Sequence, residues 1–557
     1  MKKLLLMTVV AAIGLSGCDQ QASQSAATDN ALTPEEIEAG ILTPEVMWKM
    51  KRAGSSSLSP DGTRLLYAQT VYDMAENRGT TSLYVEEMDS KQVKCLAEGS
   101  SPRWNADGSR IYFLSERSGS SQVWVMDADG SNARQVTGLQ EGAPAVEGFG
   151  ISPDEQHIWW VQQVQVADRR SADVHRDMPK SKARIYDDLM ARHWDYWDEG
   201  SYRHIFVGEL AGGKASEGVD ILGPEAAWDA PLAPYFDMAE IAWNNAGTRL
   251  AYTCKPLTGM RYAVSTDSDI FVYDLASGTT QNICKPDSVN YPGGLTIQSN
   301  ELPGYDKYPV WSPDDSKIAF RSMRRAGNES DKERLFVYDC RTGRMEDLTA
   351  EFDYNAMNVV WEGNDRLWFI APIEATHQIC RVQVPSATAE HPAAEVEVLT
   401  SGDHDINAFT MGGGRIVAEM TKISMATEFF DVNPEDGRLT QISAINKPIY
   451  DHIRMGEVQK RWVRTTDGKQ MLTWVVLPPD FDPAKKYPVL LYCQGGPQSV
   501  VSQFWSYRWN LELIASGGYV VVAPNRRGLP SFGQEWLDQI SGDYSGQNIR
   551  DYLSAID

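Results

Sequence analysis

Two stretches of this chain carry residue types with chemical potential. The run "YCQGGPQS", from Tyr492 to Ser499, follows an apolar stretch and places Gly495 beside Gly496. Residues without Cβ let a backbone N–H come within hydrogen-bond reach of a developing alkoxide; the same pair can also serve only to shape a tight strand-to-helix turn. The second stretch holds Asp187, Asp188, Asp195, Asp198 and Glu199 among Trp194 and Trp197. Such carboxylates can hold an ammonium group while the indoles wall a pocket, or they can be the solvated face of a helix. His193 and His204 have no tight ligand spacing with these acids, so no metal is expected. No nucleophile accompanies Gly496. The pentad G-x-S-x-G is absent from residues 1–557, and Ser499, Ser502, Ser531, Ser541 and Ser545 fall in loops or turns without elbow glycines. Of the eight histidines, none follows His452, so none accompanies the glycine loop.

The elements that must position these groups fall into two kinds. From residue 58 a turn of the type Ser-Pro-Asp-Gly followed by an alternating strand recurs in seven copies, at Leu58, Trp104, Ile151, Trp243, Trp311, Trp361 and, faintly, Met411. A second strand usually follows each copy. The spacing is that of four-stranded propeller blades, which predicts a seven-bladed β-propeller over about residues 50–450. Most tryptophans fall where neighbouring blades pack, which assigns them to the core. The largest insertion, residues 181–207, interrupts the rhythm with a helical-looking stretch that projects from one face. After residue 450 the pattern changes to a hairpin around Asp467-Gly468, then the buried runs "YPVLLYC" and "YVVVAPN" separated by a helix near Trp505–Ser516. Strand, helix, strand without alternation indicates a parallel α/β sheet. A last helix covers about Gly546–Ile556, and the "YVVVAPN" strand is expected to lack a neighbour on its far side.

Charge and the N-terminus bound the setting. Seventy-six acidic against 52 basic residues give a net charge of −24, which repels nucleic acid, and 42% hydrophobic content over 557 residues implies two or three globular domains. Lys2 and Lys3, an apolar run from Leu4 to Ile13, and Leu15-Ser16-Gly17 before Cys18 resemble a bacterial lipoprotein signal. Residues 1–18 are then the signal with its lipidated cysteine, residues 19–42 a flexible Ser/Ala/Gln-rich tether, and the protein lies outside the cytoplasm, anchored to a membrane. An ordinary secretory signal or short anchor is the alternative. The six other cysteines show no C-x-x-C spacing and no deducible pairing.

The order of propeller (43–450), hairpin, strand, Gly-Gly-Pro loop, helix, strand and Asn-Arg-Arg-Gly loop resembles the prolyl oligopeptidase family of serine peptidases, most of all its bacterial dipeptidyl-peptidase and acylaminoacyl-peptidase members. "YCQGGPQS" and "VVVAPNRRGLPSFGQEW" carry the resemblance most specifically. It implies a β-propeller joined to an α/β-hydrolase domain that residues 451–557 begin and leave incomplete. It also implies that Gly496 supplies an oxyanion-hole N–H, and that the loop of Arg526, Arg527 and Gly528 borders the active site, where the arginines anchor the loop or, in the case of Arg527, meet substrate. Asp195, Asp198 and Glu199 would hold the free N-terminus of a peptide. No cofactor is implied. Ser, Asp and His of the catalytic triad would follow the last helix, so the chain as given is expected to be inactive. The alternative is a non-catalytic propeller lipoprotein that binds a peptide or an envelope partner. Substrate preference and oligomeric state are left open.

Overall fold

The computed structural model describes residues 30–557 except 139, 141, 286–301, 386–393 and 497. Cys18 and residues 19–29 lie outside the described residues.

Seven antiparallel four-stranded units follow one another over residues 52–98, 100–135, 148–220, 241–282, 306–347, 357–398 and 405–441. The third carries one short extra strand, and the last two share a single parallel bridge between His377 and Asp405. Each recurring turn joins the first strand of its unit to the second. Its polar residue closes the turn: the hydroxyls of Ser59, Ser152 and Ser312 accept from the N–H groups of Arg64, His157 and Lys317 at 3.0, 2.9 and 2.9 Å. The side-chain carbonyls of Asn105 and Asn244 do the same for Arg110 and Arg249.

The units stack side by side into a ring. The tryptophan that opens four of the repeats lies at each seam, and its indole N–H donates to a carbonyl of the preceding unit's first strand. Trp104 reaches Ser57 at 3.1 Å, Trp243 reaches Gly150 at 3.0 Å, Trp311 reaches Ala242 at 3.2 Å and Trp361 reaches Val310 at 3.0 Å. A buried indole needs one acceptor, and the seam provides it. The ring closes by packing: Leu58, Leu65 and Tyr67 of the first unit share a core with Val417 and Phe429 of the last. Ser56 N–H also donates to Glu419 at 2.6 Å.

The last hundred residues form a sheet ordered 458–464, 470–476, 520–524, 489–491. The expected hairpin is present, and Val489–Leu491 runs parallel to Val520–Pro524. Two expectations are corrected. The "YVVVAPN" strand is central, paired antiparallel with Gln470–Val476 on its other side; the edge falls instead on Val489–Leu491, with Val489 53% exposed. The helix starts at Leu511, not near Trp505, because the Asn510 side chain caps it by accepting from Leu513 N–H at 2.8 Å.

Part of the stretch expected to be tether, residues 33–42, is folded. Thr33 and Glu36 form a reciprocal capping box on the helix Pro34–Ala39, a second helix covers Pro44–Lys49, and Leu42 is buried with Val46, Met50, Ile449 and Ile453. This N-terminal segment therefore packs where the ring ends and the second domain begins. The ring itself runs from Arg52 to Gln441.

Candidate active site

Antiparallel alternation puts every connection between second and third strands at one end of the ring. The second domain docks on that end. Glu374 and Ala375 N–H donate to the carbonyl and hydroxyl of Ser531, Ile423 N–H reaches the Gln503 side chain, and Lys332 N–H reaches that of Gln534. The insertion between His157–Gln165 and Ser201–Ala211 is a connection of the same kind, as is the loop 255–268. Together with residues 227–236 they enclose a cavity of about 630 Å³. The cavity thus sits at the end of the ring that carries the second domain.

The insertion is not helical beyond the four residues Ser171–Val174; its tip is a short hairpin of Arg192–His193 and Tyr196–Trp197. Local side-chain bonds explain this. Asp188 accepts from Leu189 and Met260 N–H at 2.8 and 3.1 Å, and Asp198 accepts from Gly200 N–H at 2.8 Å. Aspartates that satisfy nearby backbone N–H groups compete with helix formation. Gly259 makes the approach of Asp188 possible, since at φ +61 a Cβ there would lie 2.0 Å from Asp188 Oδ2.

The expected carboxylates separate into distinct groups. Asp195 is exposed at the hairpin tip and is not among the cavity-lining residues. Asp198 and Glu199 line the cavity but are engaged: Arg169 lies 3.3 Å from Asp198, while Arg184 and Arg170 lie 2.5 and 3.1 Å from Glu199. Those two guanidinium groups hold the Glu199 carboxyl below its usual range. Asp187 and Asp188 also line the cavity, and among the described residues neither forms an ion pair. Trp194, Trp197 and Tyr186 contribute aromatic wall. One further acid was not singled out from the sequence: Asp229, in a proline-rich connection between two repeats. It accepts from Arg203 N–H at 2.9 Å and is pushed up to about 6 by burial. Only its position beside Trp228 in an otherwise apolar loop hinted at it.

Gly496 is exposed at φ +130, where a Cβ would come 2.9 Å from Gln498 N and Ser499 Oγ, so the loop requires glycine there. Arg526 ties this loop down through the Gln494 carbonyl at 3.0 Å. Arg527 is engaged within the protein, in keeping with the loop-anchor reading of it. Its side chain is 4% exposed and grips both Asp467 oxygens at 2.6 Å and Asp551 at 3.2 Å, so it joins the hairpin turn to the last helix. It holds the Asp467 carboxyl far below the usual range.

Ser502, Asp405 and His377 meet at the domain interface with the residue types of a catalytic triad but not its order. Ser502 Oγ donates to Asp405 at 2.5 Å and His377 Nδ1 faces the same carboxylate at 3.1 Å, so no imidazole stands between serine and aspartate to take the proton. Ser531 is likewise spent on Ala375.

A model of the prolyl oligopeptidase family matches residues 505–557. Dipeptidyl-peptidase 5 of Porphyromonas gingivalis is 40% identical over 521 residues, covering 93% of this chain and 72% of that protein. Dipeptidyl-peptidase 5 of Porphyromonas endodontalis is 35% identical over 560 residues, covering 100% and 77%. Among solved structures, an acylaminoacyl peptidase of Pyrococcus horikoshii superposes with a TM-score of 0.70 at 16% identity over 92% of this chain and 71% of that one; this likeness bears on the fold alone.

Proposed function

The chain belongs to the prolyl oligopeptidase family of serine peptidases, and from that premise we propose that it is the propeller and leading hydrolase portion of an exopeptidase that takes dipeptides from free N-termini. The observation that carries this reading is the cavity on the hydrolase-bearing end of the ring, with the unpaired carboxylates of Asp187 and Asp188 beside aromatic walls. An ammonium entering there finds negative charge that no arginine has already compensated. Asp198 and Glu199 play a second part, holding the insertion in place through Arg169, Arg170 and Arg184. Gly496 N–H serves as an oxyanion donor, a role supported by its exposed backbone and the glycine its φ demands. The pentad G-x-S-x-G does not occur in residues 1–557, so the test of this reading is a binding measurement. Cys18 anchors the protein to a membrane outside the cytoplasm, which labelling with radioactive palmitate checks.

Because binding precedes chemistry, the test needs no turnover. Calorimetric titration with a free-amine dipeptide amide and with its N-acetyl counterpart should show the amine bound at least about tenfold more tightly, and Asp187→Asn with Asp188→Asn should abolish that preference. Equal affinity for both ligands would refute the ammonium site. The alternative, a propeller that binds an envelope partner, has no specific observation in its favour.

A further inference from the structure

Away from the cavity, at the seam between the fourth and fifth units, three side chains converge. Asp269 opens the third strand of unit four, Cys284 follows its last strand, and Asp306 opens the first strand of unit five. Their ligand atoms all lie within 4.8 Å of one another, and the three residues are 6%, 2% and 0% exposed. Asp269 is partly satisfied, accepting from Lys285 at 2.7 Å and from Asn282 at 2.8 Å. Asp306 is not. Its backbone is paired with Ser268, yet among the described residues neither buried carboxylate oxygen has a partner at normal hydrogen-bond geometry, and the groups that face it are the Ser322 hydroxyl and the Cys284 thiol. The hydroxyl of Ser322, which lies opposite Asp306 in the sheet, is also buried and makes no other hydrogen bond among the described residues. A buried carboxylate faced only by a hydroxyl and a thiol, in the dry interior of a blade seam, leaves room for a further partner.

We propose that Asp269, Cys284 and Asp306 form a structural cation site, with the Ser322 hydroxyl at its edge, and that the donor set of one sulfur and carboxylate oxygens selects zinc. Carboxylates alone would suit magnesium or calcium, whereas a thiolate among them favours a borderline-soft ion. Bonds of about 2.0–2.3 Å require the three ligand atoms to close in slightly. Binding displaces the Cys284 thiol proton and the carboxyl proton of Asp306, so that the ion is met by one thiolate and one carboxylate, with Asp269 already shared with Lys285. The consequence is mechanical: the ion would bolt unit four to unit five directly below the 255–268 loop, whose residues Leu257, Thr258, Gly259 and Tyr262 wall the cavity.

The test is metal analysis of protein purified without chelator and of the same protein dialysed against zinc. About one zinc per chain is expected, with a melting temperature several degrees higher than that of chelator-treated protein. Cobalt substituted for zinc should give a thiolate-to-metal charge-transfer band. Asp306→Asn should lower zinc content at least about tenfold, and Cys284→Ser should remove the cobalt band. Wild-type protein that takes up neither metal overturns the proposal and leaves Asp306 as a buried neutral acid. A cobalt band that survives Cys284→Ser, or full zinc content in Asp306→Asn, also overturns it. If a variant fails to fold, the wild-type stoichiometry and cobalt spectrum still decide.

Discussion

At the scale of single residues, burial rather than identity sets what each acid does. Glu512 lies on the short helix Leu511–Ser516, fully buried, with one oxygen accepting from Gly456 N–H at 2.8 Å and the other unpartnered. Desolvation pushes its pKa up to about 7. A folded-state pKa raised above the unfolded value means that stability is greatest below the unfolded pKa near 4.5 and falls as pH rises toward 7. Replacing the group with a neutral isostere should remove that loss. Glu512→Gln is therefore expected to melt like the wild type near pH 4.5 and to be more stable by on the order of 2 kcal/mol at pH 8. Thermal melts across that range check it; a variant less stable at pH 8 would show that the charge is needed. The cavity acids obey the same logic. The sequence put Asp187, Asp188, Asp195, Asp198 and Glu199 in one group, and nothing in their spacing said which of them three arginines would neutralise.

At the scale of elements, the repeat was legible because the turn and the strand write themselves locally. A Ser or Asn that closes a turn onto the N–H five residues later, followed by alternating apolar residues, needs no tertiary information to be recognised. The tryptophans are a further step, since their hydrogen bonds cross from one unit to the next. Trp311→Phe keeps most of the apolar area but leaves the Ala242 carbonyl without its donor, and should cost about 1–3 kcal/mol. Chemical denaturation measures it; a loss no larger than for a surface Trp509→Phe control would mean that the seam bond contributes nothing. The helical-looking spacing of the insertion misleads for the opposite reason. Carboxylates and aromatics at near-helical spacing were indistinguishable from an acidic helix until Asp188 and Asp198 were found bonded to backbone N–H groups.

At the scale of the whole molecule, docking of the second domain on the ring depends on a few buried polar contacts. Asp405, 1% exposed, accepts from Ser502 Oγ at 2.5 Å and Gln503 N–H at 3.2 Å across the interface, and Arg325 pairs with Asp538 at 2.8 Å nearer its rim. Removing the buried carboxylate should matter far more than removing the exposed one. Asp405→Ala is expected to cost about 2–3 kcal/mol and to speed proteolysis in the connection 442–457, whereas Asp538→Ala should cost under about 1 kcal/mol. Equal proteolytic rates for the two variants would place the strength of the interface elsewhere. The sequence by itself determined the seven repeats, the hairpin, the buried strands and the glycine loop, because hydrophobic period and turn chemistry are short-range properties. Only the tertiary structure decided that "YVVVAPN" is a central strand, that Arg527 is an anchor, that the insertion and a proline-rich connection enclose one cavity, and which carboxylates remain unpaired there. Those outcomes depend on which distant groups share a desolvated space, and a linear pattern does not encode that.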